Sequence, residues 1–143
     1  MPFEDLLKEL DARRQKALAM GGPEKLAQRK AQGLLNARER LARLFDPGSF
    51  MESGMHAVSN RPEDRESTPA DGKVAGFGRI KGREAAAIAN DFTVKGSSSA
   101  AINIKKLKHM KGVAKKRGIP IVFLGESTGA RMPDVMGAAS IGS

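Results

Sequence analysis

The segment that decides the fold reads Ile119-Pro120-Ile121-Val122-Phe123-Leu124-Gly125-Glu126-Ser127-Thr128-Gly129-Ala130-Arg131. The apolar run after Pro120 is rich in β-branched and aromatic residues and ends at Gly125, which predicts a short strand buried on both faces. The next residues are small or favour helix caps, so we expect a tight turn whose backbone amides point outward unpaired. A strand that leads into such a turn is where α/β folds usually place their chemistry.

The residues upstream of this segment predict a β-hairpin followed by a helix. Lys73 to Ile80 and Arg83 to Asn90 flank a two-residue turn, although the alanines of the second arm have weak strand propensity. Serines at positions 97–99 offer N-caps for a helix from Ala100 to Arg117, and Gly118 is its expected C-cap. The order strand, strand, helix, strand predicts a helix that crosses over a mostly parallel sheet.

Three helices are predicted before the hairpin. The first spans Phe3 to Met20 and is amphipathic, with apolar residues at three- and four-residue steps. Gly21-Gly22-Pro23 separates it from a second helix, Glu24 to Gln32. The third helix follows Asn36, which can form a capping box with Glu39.

Two stretches do not fit a finished domain. Ser53 to Ala70, after a possible short strand at Ser49 to Glu52, is a polar segment that we interpret as a loop. Loops of that length are usually functional or disordered. Pro133 to Ser143 begins a helix that the sequence does not complete. Since strand edges are still uncovered, we expect the chain to be a truncated piece of a longer protein.

The composition indicates a globular domain with an anionic partner. The chain has 143 residues, 40% of them hydrophobic, and it has no Cys, so disulfides, thiolate chemistry and cysteine metal sites are excluded. The net charge of +9 favours an anionic partner, but no aromatic residues interleave with the lysines as a single-strand binder would need. The acidic N-terminus without a long apolar run argues against a signal peptide or a membrane span, so we expect a cytoplasmic location.

The turn also contains a formal nucleophile motif. Residues Gly125 to Gly129 match the G-x-S-x-G pattern of the α/β-hydrolase nucleophile elbow. That fold requires a His after the Ser, and both histidines, His56 and His109, precede Ser127. Ser127 therefore has three open interpretations: a helix cap, part of a backbone anion site, or a nucleophile.

Other polar residues have ordinary explanations. The lysines of the predicted helix at 100–117 either face solvent or contact phosphate. Asp71, Asp91 and Glu126 lie near turns, where capping is the default role of a carboxylate. The two histidines lack metal-ligand spacing, and no P-loop is present.

Five landmarks run in order along nearly the whole chain. They are Gly21 to Lys25; Leu35 to Leu41 with Phe45 to Phe50; Thr68 to Gly78; Asn90 to Val94 with the Gly/Ser segment and Lys105-Lys106; and Glu126 to Met132. In this order they resemble the biotin-dependent acyl-CoA carboxyltransferases, the β-type subunits of propionyl-CoA carboxylase and their methylmalonyl-CoA decarboxylase relatives. The last landmark resembles the family's Asp-Ser-Gly-Gly-Ala-Arg turn, with Thr128 in place of a glycine, and Ser97 stands where a second family glycine is common.

The resemblance implies a partial α/β fold of the crotonase type, a β/α spiral preceded by N-terminal helices. It implies that residues 1–48 form the helical segment and residues 49–143 the start of the acyl-CoA carboxyltransferase N-domain, with the biotin-side domain absent. In the family, a carboxyl group passes from carboxybiotin to the α-carbon of an acyl-CoA. Backbone amides stabilise the thioester enolate, so no side-chain base is required.

The resemblance assigns the oxyanion hole to the backbone amides of Thr128 and Gly129. The implied substrate-binding residues are Gly96, Ser97, Ser98, Lys105, Lys106, Ala130 and Arg131. Lys105 and Lys106 are expected to screen the phosphates of CoA. Biotin is expected on a separate carrier domain or subunit, and no metal is expected.

The implied partners are an acyl-CoA, a biotin carboxylase or biotin carrier subunit, and further copies of the same subunit, with no nucleic acid and no membrane. The chain by itself is expected to be inactive. A serine hydrolase that uses Ser127 and a non-enzymatic basic binding module stay open as alternatives. The acyl chain and the direction of the reaction are not fixed by the sequence.

Overall fold

The computed structural model describes residues 2–135, in which helices cover the N-terminal third and strands follow. The helices are α1 (Pro2–Leu18), α2 (Pro23–Ala31), α3 (Ala37–Leu44), α4 (Ala101–Arg117) and α5 (Met132–Val135). The strands are β1 (Met51–Glu52), β2 (Lys73–Ile80), β3 (Arg83–Asn90) and β4 (Ile121–Leu124). Short 3-10 turns lie in the connections, at Pro62–Ser67, Pro69–Gly72 and Lys95–Ser97. The helix expected at 133–143 lies outside the described residues beyond Val135.

The three N-terminal helices are separated by the residues that the sequence indicated. Asn36 Oδ1 accepts a hydrogen bond from the Glu39 amide (2.9 Å), and the Asn36 amide donates to Glu39 Oε2 (3.0 Å). This capping box is confirmed, and it fixes the start of α3. The corner between α1 and α2 packs tightly on the chain after β3, since a Cβ at Gly21 would lie 2.1 Å from the carbonyl oxygen of Thr93.

The four strands form one mixed sheet in the order β1-β2-β3-β4. The predicted hairpin is confirmed: β2 and β3 pair antiparallel, with Lys73 opposite Asn90 and Ile80 opposite Arg83. β1 is also antiparallel to β2, whereas β3 and β4 are parallel and joined through α4. The expectation of a mostly parallel sheet is therefore wrong for the described residues. A two-residue turn permits only antiparallel pairing, and a parallel pair needs a long crossover such as α4.

Strand β3 lies at the centre of the core and is covered on both faces. Ala85, Ala87 and Ala89 pack on one face with Leu41 of α3 and with Phe45, the residue that follows α3. Ala86 and Ile88 pack with Met110 and Ala114 of α4 on the other. The alanines form a strand despite their low propensity because small side chains let helices approach the sheet closely from both sides.

Apolar side chains remain exposed in two places. Ile121 and Phe123 of β4 are 37% and 51% exposed, so the prediction of a strand buried on both faces is wrong for the described part of the chain. β4 is the last strand of the sheet there, and only one of its edges is paired. On α1 the start of the apolar stripe, Phe3, Leu6 and Leu7, is exposed as well. No helix within residues 2–135 combines the length and apolar character needed to cross a bilayer.

Candidate functional site

Two chain segments meet at the carboxyl ends of the parallel strands β3 and β4. We call Gly96–Ser99 the serine loop and Gly125–Arg131 the small-residue turn. The Ser99 amide donates to Gly129 O (2.7 Å), and the Arg131 amide donates to Ser99 O (2.8 Å). This parallel bridge between Ser99 and Ala130 holds the two segments side by side.

The two backbone amides assigned to the oxyanion hole are occupied in this conformation. The Thr128 amide donates to Gly96 O (3.0 Å) and the Gly129 amide donates to Ser127 Oγ (3.1 Å). The expectation that these amides point outward unpaired is therefore wrong. The Ser127 hydroxyl folds back onto its own turn, as serine side chains commonly do, and Gly96 brings its carbonyl within reach.

Gly96 and Thr128 are in direct contact. Gly96 has φ +59°, and a Cβ at this position would lie 2.6 Å from Thr128 Cγ2 and 2.7 Å from Thr128 Oγ1. The serine loop therefore needs glycine at this position for conformation and for space. The Thr128 side chain covers the backbone of Gly96, where a glycine at position 128 would leave the surface open.

The Ser127 hydroxyl has only backbone partners among the described residues. It donates to Ser97 O (3.1 Å) and accepts from the Gly129 amide. Neither histidine bonds to it in the part of the chain that the structure describes. A hydroxyl that donates to a carbonyl and has no base is not an activated nucleophile, so its place inside the turn indicates a structural role.

Asp71 connects the turn to the start of α4. Its carboxylate is completely buried; Oδ1 accepts from Arg131 Nη1 (2.7 Å) and Oδ2 accepts from the Asn103 amide (3.0 Å). Arg131 is also buried, and its Nε donates to Ser98 Oγ (3.3 Å). Burial raises the pKa of the Asp71 carboxyl, while the hydrogen bond and charge of Arg131 act against that rise.

Asp71 thus performs the capping role expected of it, but for a helix about thirty residues away. The Ser97–Ser99 side chains do not cap α4; the Ala100 amide instead donates to Asn103 Oδ1 (2.9 Å). Arg131, expected to bind substrate, lies in the interior with its guanidinium on Asp71. No short-range sequence signal connects the two residues.

The two lysines expected to screen phosphate lie in different environments. Lys105 is exposed on α4. Lys106 is buried, with Nζ donating to Ala70 O (2.8 Å) and to Lys73 O, so the described structure does not place it near solvent phosphate. Consecutive residues of a helix lie about 100° apart around its axis, so Lys106 faces inward although its neighbour Lys105 is exposed. The long stem of Lys106 reaches backbone carbonyls that need a donor.

A second buried lysine, Lys73, forms hydrogen bonds with Ser97 of the serine loop. Its Nζ donates to Asn90 Oδ1 (3.1 Å), Ser97 Oγ (3.2 Å) and Ser97 O (3.3 Å). Burial lowers the pKa of Lys73 and of Lys106 to about 8 each. The sequence analysis missed Lys73, which gave no signal other than its position at the start of β2.

A pocket of about 390 Å³ opens beside the serine loop, between α2 and residues 92–96. Arg29 crosses the pocket, and its Nη1 and Nη2 donate to the two carboxylate oxygens of Glu126 (2.9 and 2.8 Å). Its guanidinium carbon lies 5.8 Å from the centre of the Phe92 ring. Lys25 and Lys95 add positive charge to the lining. The pocket therefore has a basic, partly aromatic wall that reaches the first residues of the small-residue turn.

The remaining predicted residues lie in or beside these segments. Ser97 and Ser98 are buried, Gly96 is half-buried and Ala130 is exposed. Within residues 2–135, no cluster of three or more acidic or His side chains has a geometry that could hold a metal ion. The described site therefore combines backbone amides that bond within the turn and the serine loop, a basic pocket and one buried ion pair.

The described residues form a partial α/β fold, a mixed sheet with a crossover helix and a turn of small residues at the carboxyl ends of its parallel strands. The sequence pattern of the carboxyl transferase domain matches residues 28–142. The chain belongs to the carboxyl transferase domain family.

The chain is similar to several characterised members of this family. It is 39% identical over 126 residues to methylmalonyl-CoA decarboxylase subunit alpha of Veillonella parvula, covering 86% of this chain and 25% of that protein. It is 38% identical over 143 residues to the propionyl-CoA carboxylase beta chain of Cereibacter sphaeroides, covering 97% of this chain and 28% of that protein. The chain spans about a quarter of the length of these relatives.

The fold matches a solved structure of the same family. The transcarboxylase 12S hexamer, solved with methylmalonyl-coenzyme A bound, superimposes with a TM-score of 0.86 at 34% identity and covers 93% of this chain and 27% of that chain. The resemblance found in the sequence and the crotonase-type fold that it implied are thereby confirmed. These relatives support neither the serine hydrolase nor the basic binding module.

Proposed function

We propose that this chain supplies the acyl-CoA side of a carboxyltransferase, which moves a carboxyl group between carboxybiotin and the α-carbon of an acyl-CoA. The observation that carries the proposal is the bonded pair of segments, serine loop and small-residue turn, in a chain of the carboxyl transferase domain family. The relatives named above act on propionyl-CoA and methylmalonyl-CoA, which supports a short acyl group.

The proposed chemistry needs hydrogen-bond donors at the thioester oxygen. When the α-carbon loses its proton, negative charge develops on that oxygen, and preorganised N–H groups stabilise it. In this proposal the amides of Thr128 and Gly129 exchange their present acceptors, Gly96 O and Ser127 Oγ, for the substrate oxygen. The exchange is favourable because a hydrogen bond to an ionised acceptor is about twice as strong as one to a neutral acceptor.

The proposal requires no side-chain base from the described residues. Two carboxylates beside the turn are paired, Glu126 with Arg29 and Asp71 with Arg131, and Asp134 follows the turn with its amide bonded to Arg131 O. Both paired carboxylates are engaged by an arginine and Asp71 is completely buried, so in this proposal the group that takes the α-proton arrives with the second substrate. Carboxybiotin on a separate carrier domain or subunit supplies the carboxyl group when bound, and a site built from neutral amide donors fits that division of roles.

The adenosine phosphates of CoA are proposed to bind in the pocket beside the serine loop. Lys25, Arg29 and Lys95 supply positive charge there, and Phe92 supplies an aromatic face. From this pocket an extended thiol ester would reach the small-residue turn past Glu126.

Other predicted residues contribute to the proposed site in different ways. Exposed Ala130 leaves the backbone open for the pantetheine chain, whereas Gly96 becomes accessible only when the Thr128 side chain moves away from it. The buried Ser97 and Ser98 would shape the serine loop without contacting substrate. Exposed Lys105 is kept as a phosphate ligand, whereas Lys106 would have to leave its two carbonyl partners first.

We also propose an organisation for the chain. Residues 1–48 are the helical segment and residues 49–143 begin the acyl-CoA domain, with α3 packed on the sheet in one core. The expected partners are a biotin carboxylase or carrier subunit and further copies of the same subunit, in the manner of the transcarboxylase 12S hexamer. The cytoplasmic location remains a prediction.

The test is carboxyl transfer by the complete gene product that contains these residues. We expect a labelled carboxyl group to move from carboxybiotin to propionyl-CoA or acetyl-CoA, and to require the acyl-CoA. Gly129→Ala, which cannot hold the backbone at φ +111° without strain and so displaces one amide donor, should lower kcat by about 100-fold. Absence of any acyl-CoA-dependent transfer in the wild-type protein would overturn the proposal.

The 143-residue chain alone is expected to show no transfer. Only one pair of segments around the reacting atoms is described, and its relatives contain about three times as much further sequence. The measurement is the same transfer assay with the chain alone. Turnover above the rate without protein would contradict this expectation.

A further inference from the structure

We propose that Asp71 and Arg131 are a pair of positioning residues that hold the small-residue turn and the serine loop in the geometry needed for transfer. The proposal rests on the proposed function, which it deepens. It replaces substrate contact as the role of Arg131. The proposal is argued from one buried ion pair and from the segments that it connects, which are Pro69–Gly72, the serine loop, the start of α4 and the small-residue turn.

The pair is isolated from solvent. The exposed fractions of the Arg131 and Asp71 side chains are 5% and 0%, and Nη1 and Oδ1 are 2.7 Å apart. The guanidinium is therefore closed off from solvent in this conformation. Removing one partner would leave the other as an uncompensated buried charge, so the two residues act as a unit.

The connections of the pair converge on the proposed oxyanion hole. The main-chain amide of Arg131 donates to Ser99 O, and its Nε donates to Ser98 Oγ. The same bridge carries the bond from the Ser99 amide to Gly129 O. Fixing the Arg131 side chain therefore fixes the end of the turn immediately after Gly129.

Asp71 fixes the other side of the site. Its Oδ2 accepts from the Asn103 amide in the first turn of α4, and Asn103 Nδ2 donates to Asp71 O (3.1 Å) and Ser98 O (2.8 Å). Both Ala70 (φ +52°) and Asp71 (φ +46°) have left-handed backbone conformations, which are uncommon for residues other than glycine. Such strain persists only where the surroundings impose it, and it is concentrated at sites where position matters.

The test compares three changes in the complete gene product: Arg131→Lys, Asp71→Asn and, as a matched control, Arg117→Lys. Arg117 Nη2 donates to both carboxylate oxygens of Glu84 (2.8 Å each), but both side chains are exposed, and Glu84 lies at the start of β3, the opposite end of the strand from the turn. Each protein is assayed for kcat and KM with propionyl-CoA, and amide hydrogen exchange is followed at Asn103, Gly129 and Arg131.

We expect Arg131→Lys and Asp71→Asn to lower kcat by about 100-fold while KM for acyl-CoA changes by less than about threefold, because misplacement of the donors affects the transition state more than binding. Exchange at the three amides should accelerate by about tenfold or more, as expected when local opening becomes easier. Arg117→Lys should match the wild type in all of these readouts.

Other outcomes overturn the inference in distinguishable ways. A rise in KM at unchanged kcat in Arg131→Lys would make Arg131 a substrate ligand after all. Wild-type kinetics and wild-type exchange in both variants would show that the pair positions nothing. If the wild-type protein transfers no carboxyl group, the proposed function fails, and unchanged exchange in the variants would then separately refute the positioning role. Arg131→Lys keeps a positive charge opposite Asp71, so it provides a folded variant should Asp71→Asn, which leaves Arg131 as an uncompensated buried charge, not fold.

Discussion

The two buried lysines predict a stability that rises with pH in the alkaline range. Lys73 and Lys106 have pKa values of about 8 in the folded chain, against 10.5 for an ordinary lysine, because burial disfavours their charged forms. Below about pH 8 both are protonated in the folded and unfolded states, and folding carries the full cost of burying the charges. Between pH 8 and 10.5 the unfolded chain holds more protons, so the free energy of unfolding increases with pH.

The expected size follows from the two pKa values. A change from 10.5 to about 8 corresponds to about 3 kcal/mol for one lysine. Lys73 also lowers the pKa of Lys106 through charge repulsion. Asp71 attracts both ammonium groups, whereas Arg131 repels that of Lys73 and Arg38 repels that of Lys106. We therefore expect a combined gain of about 3–5 kcal/mol between about pH 8 and about pH 10.

The sequence makes this measurement unusually direct. With no Cys and no Tyr in the chain, only lysines and the N-terminal amine titrate in that range. The free energy of unfolding is measured from urea titrations followed by far-UV circular dichroism at several pH values. Lys73→Met and Lys106→Met should each reduce the pH slope, whereas Lys105→Met, the exposed neighbour on α4, should leave it unchanged.

The slope is the diagnostic quantity, because each Met substitution also removes hydrogen bonds and so changes the absolute stability. A free energy of unfolding that stays constant or falls between about pH 8 and about pH 10 would refute the reasoning. So would a double variant, Lys73→Met with Lys106→Met, whose slope equals that of the wild type.

Three further substitutions test local packing, each by urea unfolding. Gly21→Ala should destabilise the chain by about 3 kcal/mol or more, because the new Cβ would lie 2.1 Å from Thr93 O; near wild-type stability would show that the α1–α2 corner can move. Gly112→Ala should stabilise it by about 0.5–1 kcal/mol, since this position lies in α4 with open space around it, and a loss would contradict that. Asn36→Ala should cost about 1 kcal/mol through the lost cap of α3, and no change would mean that solvent replaces the cap.

The features that the sequence predicted are those with short-range signals. The capping box of Asn36 joins residues three apart, and the hairpin arms join through a two-residue turn. Gly118 ends α4 in a left-handed conformation, as expected for a C-cap glycine. Each of these signals involves residues only a few positions apart, so the local sequence alone determines the structure that forms.

The features that the sequence did not predict depend on distant partners. Asp71 and Arg131 are 60 residues apart, and Arg29 and Glu126 are 97 apart. Lys106 points inward because it donates to the carbonyl groups of Ala70 and Lys73. The spacing of apolar residues along α4 does not predict these partners. The occupied amides of the turn depend on Gly96, a residue of the neighbouring loop. In each case tertiary contact decided between alternatives that were locally equivalent.

The two ion pairs at the ends of the small-residue turn differ in a way that indicates which end moves. At the Arg131 end both partners are buried, while at the other end Glu126 is 33% exposed and Arg29 13%, and both line the basic pocket. A half-buried pair that lines a pocket is weakened by water and by competing anions more than a fully buried pair is. If Thr128 and Gly129 release their present acceptors for a substrate oxygen, the shift therefore has to occur on the Glu126 side. On the proposed function, a CoA phosphate that competes with Glu126 for Arg29 would loosen the side of the turn that must rearrange, while Asp71 and Arg131 keep the other side in place.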